Sequence, residues 1–202
     1  MFETIGQINR GSLLGEHIFN LAKNPEIKSI VEIGTWNGLG TTKCIYDGII
    51  QGNKRDYNVW SLEINLMRHK EAKTNLLPLN NFNIIHGTIV SEEEHLKLKE
   101  KFGNHPWLVE DIQHVKTSEY VFDKLPKNID LLILDGGEFT SYIEFEKLWK
   151  RSHFIVLDDT NKDLSYKNWE VREFILSSPH DFKIIEDNLK DRNGFLVCEK
   201  IN

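Results

Sequence analysis

The sequence predicts one α/β domain spanning residues 1–202: five parallel strands, a C-terminal antiparallel hairpin, and helices on both faces of the sheet. Three observations predict it. Apolar runs of strand length alternate five times with segments of helical periodicity, the pattern of a parallel sheet whose crossovers are helices. The last two apolar runs are joined by a turn alone, so they must pair antiparallel. No internal repeat, low-complexity tract or Pro/Gly/Ser linker divides the 202 residues, a length that a single core can serve.

Each element has its own signal. Leu13, Leu14, Ile18 and Leu21 recur at helical spacing and predict a helix over 12–23. SIVEIG, 29–34, is a short apolar run closed by glycine, hence a buried strand. Helical periodicity returns over 41–50, with Thr41 or Thr42 as cap. YNVWSLE, 57–63, is the second strand, followed by a helix over 65–77 that Pro78 stops. FNIIHG, 82–87, is the third strand. Ser91 and three glutamates open a helix over 91–103 that ends at glycine. Residues 104–126 show no regular period and are expected to be irregular. IDLLILD, 129–135, is the most apolar strand; a helix follows over 139–151, a fifth strand over 153–159, and a helix over 168–176. The hairpin strands are 181–189 and 194–200, joined by a turn at 191–193.

Composition excludes several classes of function. The 25 basic and 31 acidic residues are interspersed and give a net charge of −6; without a basic stripe, phosphate-driven nucleic-acid binding is not expected. Cys44 and Cys198 lie far apart within apolar patterns and are expected to be small buried hydrophobes. The opening MFETIGQINRGSLLGEHIF lacks the basic head and apolar core of a signal peptide. No stretch approaches the roughly 20 apolar residues of a membrane span, and a cytoplasmic location is the expectation. His86 and His153 stand within apolar strands and are expected to be core histidines.

The glycines after the first strand, at 34, 38 and 40, follow G-x-x-x-G-x-G. That is not the G-x-G-x-x-G of a pyrophosphate cradle, and the charge of Glu32 would oppose a phosphate there. A positively charged ligand without phosphate suits the loop better. In parallel sheets such a loop is where ligands settle, beyond the carboxyl ends of the strands.

The motif E-I-G-x-x-x-G, 32–38, resembles the first motif of class I S-adenosylmethionine-dependent methyltransferases, whose Rossmann-like sheet also ends in an antiparallel hairpin. The resemblance implies S-adenosylmethionine as cofactor. It would contact Glu32, Gly34, Thr35, Trp36, Gly38 and Thr41 in the first loop, and Glu63 and Ile64 after the second strand. Gly87 and Thr88 after the third strand would meet the adenine, and Asp135 stands at the end of the fourth. An acid at the end of the second strand can accept both ribose hydroxyls.

LILDGG followed by FIVLDDT is similar to the cation-dependent O-methyltransferases of small molecules, including those that modify sugars. The resemblance implies a divalent metal, Mg²⁺ or Mn²⁺, held by Asp135, Asp158 and Asp159. It also implies methylation of a small hydroxylated acceptor such as a sugar or natural-product precursor, with Asp135, Glu138 and Asp158 in the catalytic set. The physical argument agrees in kind: neighbouring strand ends lie about 5 Å apart, and carboxylates that crowded need a cation or protons between them. The alternative is that Asp158-Asp159-Thr160 caps the segment that follows. Glu138 occupies the place of a histidine found in the sugar-modifying relatives, which leaves the general base open. By the same resemblance, residues 1–12 and 104–126 would shape the acceptor pocket, with His105, Trp107, His114 and Tyr120 as lining candidates. A non-catalytic relative that binds the same cofactor, or a nicotinamide-dependent oxidoreductase, are the alternatives. Homo-oligomerisation stays open.

Overall fold

The computed structural model describes residues 8–202. Its strands are β1 (Ser29–Ile33), β2 (Asn58–Glu63), β3 (Phe82–Thr88), β4 (Glu119–Tyr120), β5 (Ile129–Leu134), β6 (Ser152–Asp158), β7 (Phe182–Asn188) and β8 (Phe195–Lys200). They form one sheet in the order β4-β3-β2-β1-β5-β6-β8-β7. The pairs from β4 through β6 are parallel, and β8 runs antiparallel to both β6 and β7. The outer pairing of β7 carries a bulge between Ile184 and Glu186.

Seven α-helices pack around the sheet: α1 (Leu13–Lys23), α2 (Thr41–Gln51), α3 (Leu66–Asn75), α4 (Glu92–Phe102), α5 (Pro106–Val115), α6 (Ser141–Leu148) and α7 (Trp169–Ser177). Their starts follow local chemistry. Ser12 caps α1 by accepting from the Gly15 N–H, and Ser91 with Glu94 forms a reciprocal capping box on α4. At α2 the cap is Gly40 rather than either threonine. The hydroxyls of Thr41 and Thr42 are engaged instead by Asp135 and Glu32.

Because strand residues alternate sides, one apolar sequence feeds two cores. Ile30, Val59, Leu131, Ile133, Val156 and Val197 pack with Ile18, Phe19, Cys44 and Ile45 of α1 and α2. Val31, Ile33, Leu62, Leu132, Leu134 and Leu157 pack on the other side with Phe145, Val171 and Ile175 of α6 and α7. Cys44 and Cys198 are buried free thiols. Among the described residues, no helix is long and apolar enough to cross a membrane.

The stretch 104–126, expected to be irregular, contains α5, the short β4 and a 3₁₀ turn at Phe122–Lys124. Leu108, Ile112 and Val115 are the buried face of α5, a period hidden by the His and Glu residues between them. β4 is only two residues long, too short to leave any alternation. His153 is exposed and pairs with Glu199 at 3.2 Å rather than lying in the core. It stands at the start of an otherwise buried strand, where sequence alternation carries no information about the end residue.

At the centre of the sheet the strand order reverses between β1 and β5, and the two chain ends leave the sheet together. The Asp135 N–H donates to the Ile33 carbonyl at 2.9 Å, and Gly34 turns away with φ of +100°. A Cβ on Gly34 would collide with the Asp135 carbonyl. Gly34→Ala is therefore expected to destabilise the fold by about 2 kcal/mol or more, read as a lowered denaturant midpoint; an unchanged midpoint would refute this account of the turn.

Candidate active site

The reversal opens a cleft of about 750 Å³ at the carboxyl ends of the strands, the volume of a typical small-molecule site. Its lining includes Gly34, Thr35, Trp36 and Thr41 from the loop after β1, Glu63 and Ile64 after β2, Thr88 at the end of β3, and Asp135, Glu138, Asp158 and Asp159 after β5 and β6. The strand-end residues expected from the sequence do converge on one space.

Three expected cofactor contacts do not line it. Glu32 is fully buried beneath the loop, where Thr42 Oγ1 donates to it at 2.9 and 3.0 Å and Ser61 Oγ donates to it as well. Thr35 Oγ1 continues the chain to Ser61 Oγ at 2.5 Å. Burial pushes the Glu32 carboxyl up to about 8, so at neutral pH it is a largely neutral strut joining β1, β2 and α2. Gly38, with φ of +79°, lets the loop lie against Ala72 of α3. Gly87 makes room for the Glu119 carbonyl, which allows β4 to pair with β3.

Glu63 faces the cleft and is nearly buried. Its Oε2 accepts from the Trp36 N–H at 2.7 Å and its Oε1 from the Asn65 N–H at 2.8 Å. Both oxygens are thus oriented by backbone donors, with lone pairs left over for a ligand. Burial raises its pKa to about 7 against those two hydrogen bonds. Trp36, at φ of +49°, carries the loop over to Glu63 and lies under the Arg68 guanidinium, 5.1 Å from its ring.

At the other end stand the three aspartates, whose oxygens lie within 4.8 Å of one another. Asp135 Oδ2 accepts from Thr41 Oγ1 at 2.6 Å. Asp135 Oδ1 accepts from Lys167 Nζ, also at 2.6 Å, and Lys167 reaches Asp159 at 3.2 Å. Arg192 lies 3.4 Å from Asp158 and 3.8 Å from Asp159. Burial and neighbouring Asp135 push the Asp158 carboxyl above the ordinary range. Burial alone would lower the Lys167 ammonium, but Asp135, Asp158 and Asp159 together raise it, so it stays charged.

No family model matches the chain, and no curated protein matches it in sequence. Solved structures do. The O-methyltransferase from Bacillus cereus in complex with S-adenosylhomocysteine aligns with a TM-score of 0.58 over 98% of this chain and 84% of that one, at 14% identity. The O-methyltransferase NovP aligns with a TM-score of 0.51 over 93% and 79%, at 12% identity. The structure of a fibrillarin/Nop5p complex also matches, with a TM-score of 0.52 over 88% and 74%, at 11% identity. This is the Rossmann-like methyltransferase fold.

The groups implied by that fold can be tested against the residues present. The cofactor fits: Glu63 offers oriented lone pairs, and the glycine loop leaves open backbone facing the cleft. The metal fits poorly. In its favour, three hard oxygen donors converge, and Asp159 Oδ1 is buried without a hydrogen-bond partner. Against it, the Lys167 ammonium lies between Asp135 and Asp159. An ammonium and a divalent ion compete for the same oxygens, and here Lys167 already holds one oxygen of Asp135 and one of Asp159.

Glu138 lines the cleft, but its Oε2 accepts from Ser165 Oγ at 2.9 Å and the Tyr166 N–H at 3.1 Å. On the acceptor side, Trp107 and His114 line the cleft, and His105 lines a smaller adjoining pocket with Phe102, Phe139 and Tyr166. Tyr120 lies on the exposed β4 and lines neither pocket. Ile8 is the cleft residue from the N-terminal segment, of which residues 1–7 fall outside those described.

Sequence reasoning missed Lys167, Arg192, Asp111 and Glu144, all of which line the cleft. Burial pushes Asp111 and Glu144 each up to about 7. Asp111 stands on the polar side of α5, beside the buried Ile112, in a stretch whose helical period the sequence does not show.

The Glu32 strut has a pH signature. The folded protein keeps its proton up to about 8, whereas the unfolded chain releases it near the ordinary value of 4.5. Its contribution to stability therefore declines as pH rises between those values, by at most about 1.4 kcal/mol per unit. Glu32→Gln is expected to flatten the wild-type decline in denaturant unfolding over that range; parallel pH profiles for the two proteins would mean that Glu32 ionises freely in the fold.

Proposed function

We propose that the chain is an S-adenosylmethionine-dependent methyltransferase that O-methylates a small hydroxylated acceptor, such as a sugar or a natural-product precursor. The observation that carries this reading is the position of Glu63. It closes the far end of the cleft, locked to the glycine loop through the Trp36 N–H, with acceptor capacity aimed at a ligand. Two ribose hydroxyls would satisfy that capacity.

S-adenosylmethionine supplies a methyl group on a sulfonium, an electrophile that needs no further activation. The chain's residues bind and orient. Glu63 anchors the nucleoside, the loop from Gly34 to Thr41 borders its amino-acid arm, and Asp135 offers negative charge from β5. Asp158 lines the cleft at the end of β6. As the acceptor oxygen forms its bond to the methyl carbon and the carbon–sulfur bond breaks, Asp158 takes the hydroxyl proton. A carboxyl held above its ordinary range serves better as a base near neutrality. Glu138 is less suited to that role because one of its oxygens holds the segment at Ser165 and Tyr166. Once the methyl has left, the sulfur is neutral, so the carboxylates hold the product less tightly than the substrate.

The acceptor reading is supported by Trp107 and His114 on α5, which offer a flat apolar surface and a polar edge at the cleft mouth. The absence of a basic stripe in the sequence weighs against nucleic acid.

Calorimetry with S-adenosylhomocysteine tests the cofactor. Wild type is expected to bind it, and Glu63→Ala to weaken binding by about 1.5–3 kcal/mol through loss of charge-assisted hydrogen bonds; if wild type binds none, the reading fails. In a screen of hydroxylated acceptors, Asp158→Asn is expected to abolish methyl transfer while S-adenosylhomocysteine affinity stays at the wild-type value. Full turnover in that variant would take the proton-accepting role away from Asp158.

A further inference from the structure

We propose that Lys167 is the resident cation of this site, standing where related chemistry would use a divalent metal, so that the cleft works metal-free. The inference rests on the methyltransferase reading for its functional meaning, but its structural content stands on the residues alone.

Lys167 is held in place by the chain on both sides of it. Glu138 Oε2 accepts from Ser165 Oγ and the Tyr166 N–H, and the Lys167 N–H donates to Ser165 Oγ at 3.0 Å. Next in sequence, the fully buried Asn168 donates through Nδ2 to the Leu134 carbonyl at 2.9 Å and the Asp158 carbonyl at 2.6 Å. That amide bridges the ends of β5 and β6, the two strands that deliver the aspartates. The ammonium is therefore set beside the cluster by the same contacts that space the carboxylates. It is not a surface lysine that has folded inward; only 8% of its side chain is exposed.

The surrounding groups match an ammonium and mismatch a metal. A divalent ion such as Mg²⁺ takes about six oxygens in near-octahedral array, several of them waters, and needs carboxylate oxygens free of other cations. Around the three aspartates stand Thr41 Oγ1, Lys167 Nζ and Arg192, which are donors to the carboxylates. Two cations already face three carboxylates, leaving a formal charge of −1. Lys167 acts through Asp135 and Asp159, fixing their oxygens toward the cleft, so it is a positioning residue. Glu138 thereby secures the segment that brings Lys167 in.

Mn²⁺ is the probe, followed by electron paramagnetic resonance on the full chain. Wild type is expected to leave Mn²⁺ in its free-ion spectrum at millimolar concentration, and EDTA to leave S-adenosylhomocysteine affinity unchanged. Lys167→Met, which keeps most of the stem volume and removes the charge, is expected to gain one bound Mn²⁺, lost again when Asp158→Asn is added; Lys167→Arg is expected to stay metal-free. Stoichiometric Mn²⁺ binding by wild type that Asp158→Asn abolishes would overturn the proposal. So would a Lys167→Met variant that keeps its circular dichroism spectrum yet takes up no ion. If Lys167→Met does not fold, the wild-type titration decides alone, with binding against the proposal and its absence in favour. Failure to bind S-adenosylhomocysteine would remove the methyltransferase reading and leave the Mn²⁺ result standing.

Discussion

The ends of β1 and β5 approach so closely that one methyl group on Gly34 would strike the backbone of Asp135. This contact is the constraint on which the site depends. It forces the chain after β1 into a positive φ, which sends the loop outward and over β2 instead of along the sheet. Trp36 then reaches Glu63, Thr41 reaches Asp135, and α2 begins with its first two hydroxyls already engaged. A looser junction would let the loop sag into the space a ligand needs.

Two acids close in sequence space do opposite work because of depth. Glu32 pairs in register with Ser61, so Glu32 and Glu63 share one face of the sheet, but Glu63 stands two residues nearer the strand ends, which leaves Glu32 under the loop and Glu63 above it. The buried one, protonated up to about 8, ties three elements together without placing a bare charge in the core. The other keeps backbone donors on both oxygens and stays available. At the opposite end, three aspartates would repel one another and splay, but Lys167 and Arg192, supplied by later connections, hold them together.

Much of this was legible in the sequence. Strand ends can be read because apolar runs stop at a definite residue, and a parallel sheet places those ends side by side; Glu63, Asp135, Asp158 and Asp159 line the cleft for that reason. Gly38 and Gly87 show the limit of the method. Each sits at a strand-end or loop position where a ligand contact is expected, yet each is glycine because another piece of backbone or a helix comes close. Crowded carboxylates point to a cation or protons between them; the resemblance implies a divalent metal, whereas the structure sets Lys167 against Asp135 and Asp159. Lys167 is one lysine in a polar connection, distinguished only by a contact across 32 residues of chain, and no local pattern encodes such a contact. Helix α5 was missed for a related reason: its apolar face is narrow, and its polar face carries the residues that meet the cleft.

The far edge of the sheet shows a different kind of control. On β7, Ile184 and Ile185 are solvent-facing, and an outer strand with exposed isoleucines is an open template for any extended chain that drifts past. The bulge between Ile184 and Glu186 breaks the regular spacing of that rim, and Lys183, Glu186 and Asp187 set charge on both sides of the apolar pair. A ninth strand would find its partners out of step, and the residues beyond the bulge are already engaged from the helices, Glu186 by His17 and Asp187 by Arg172.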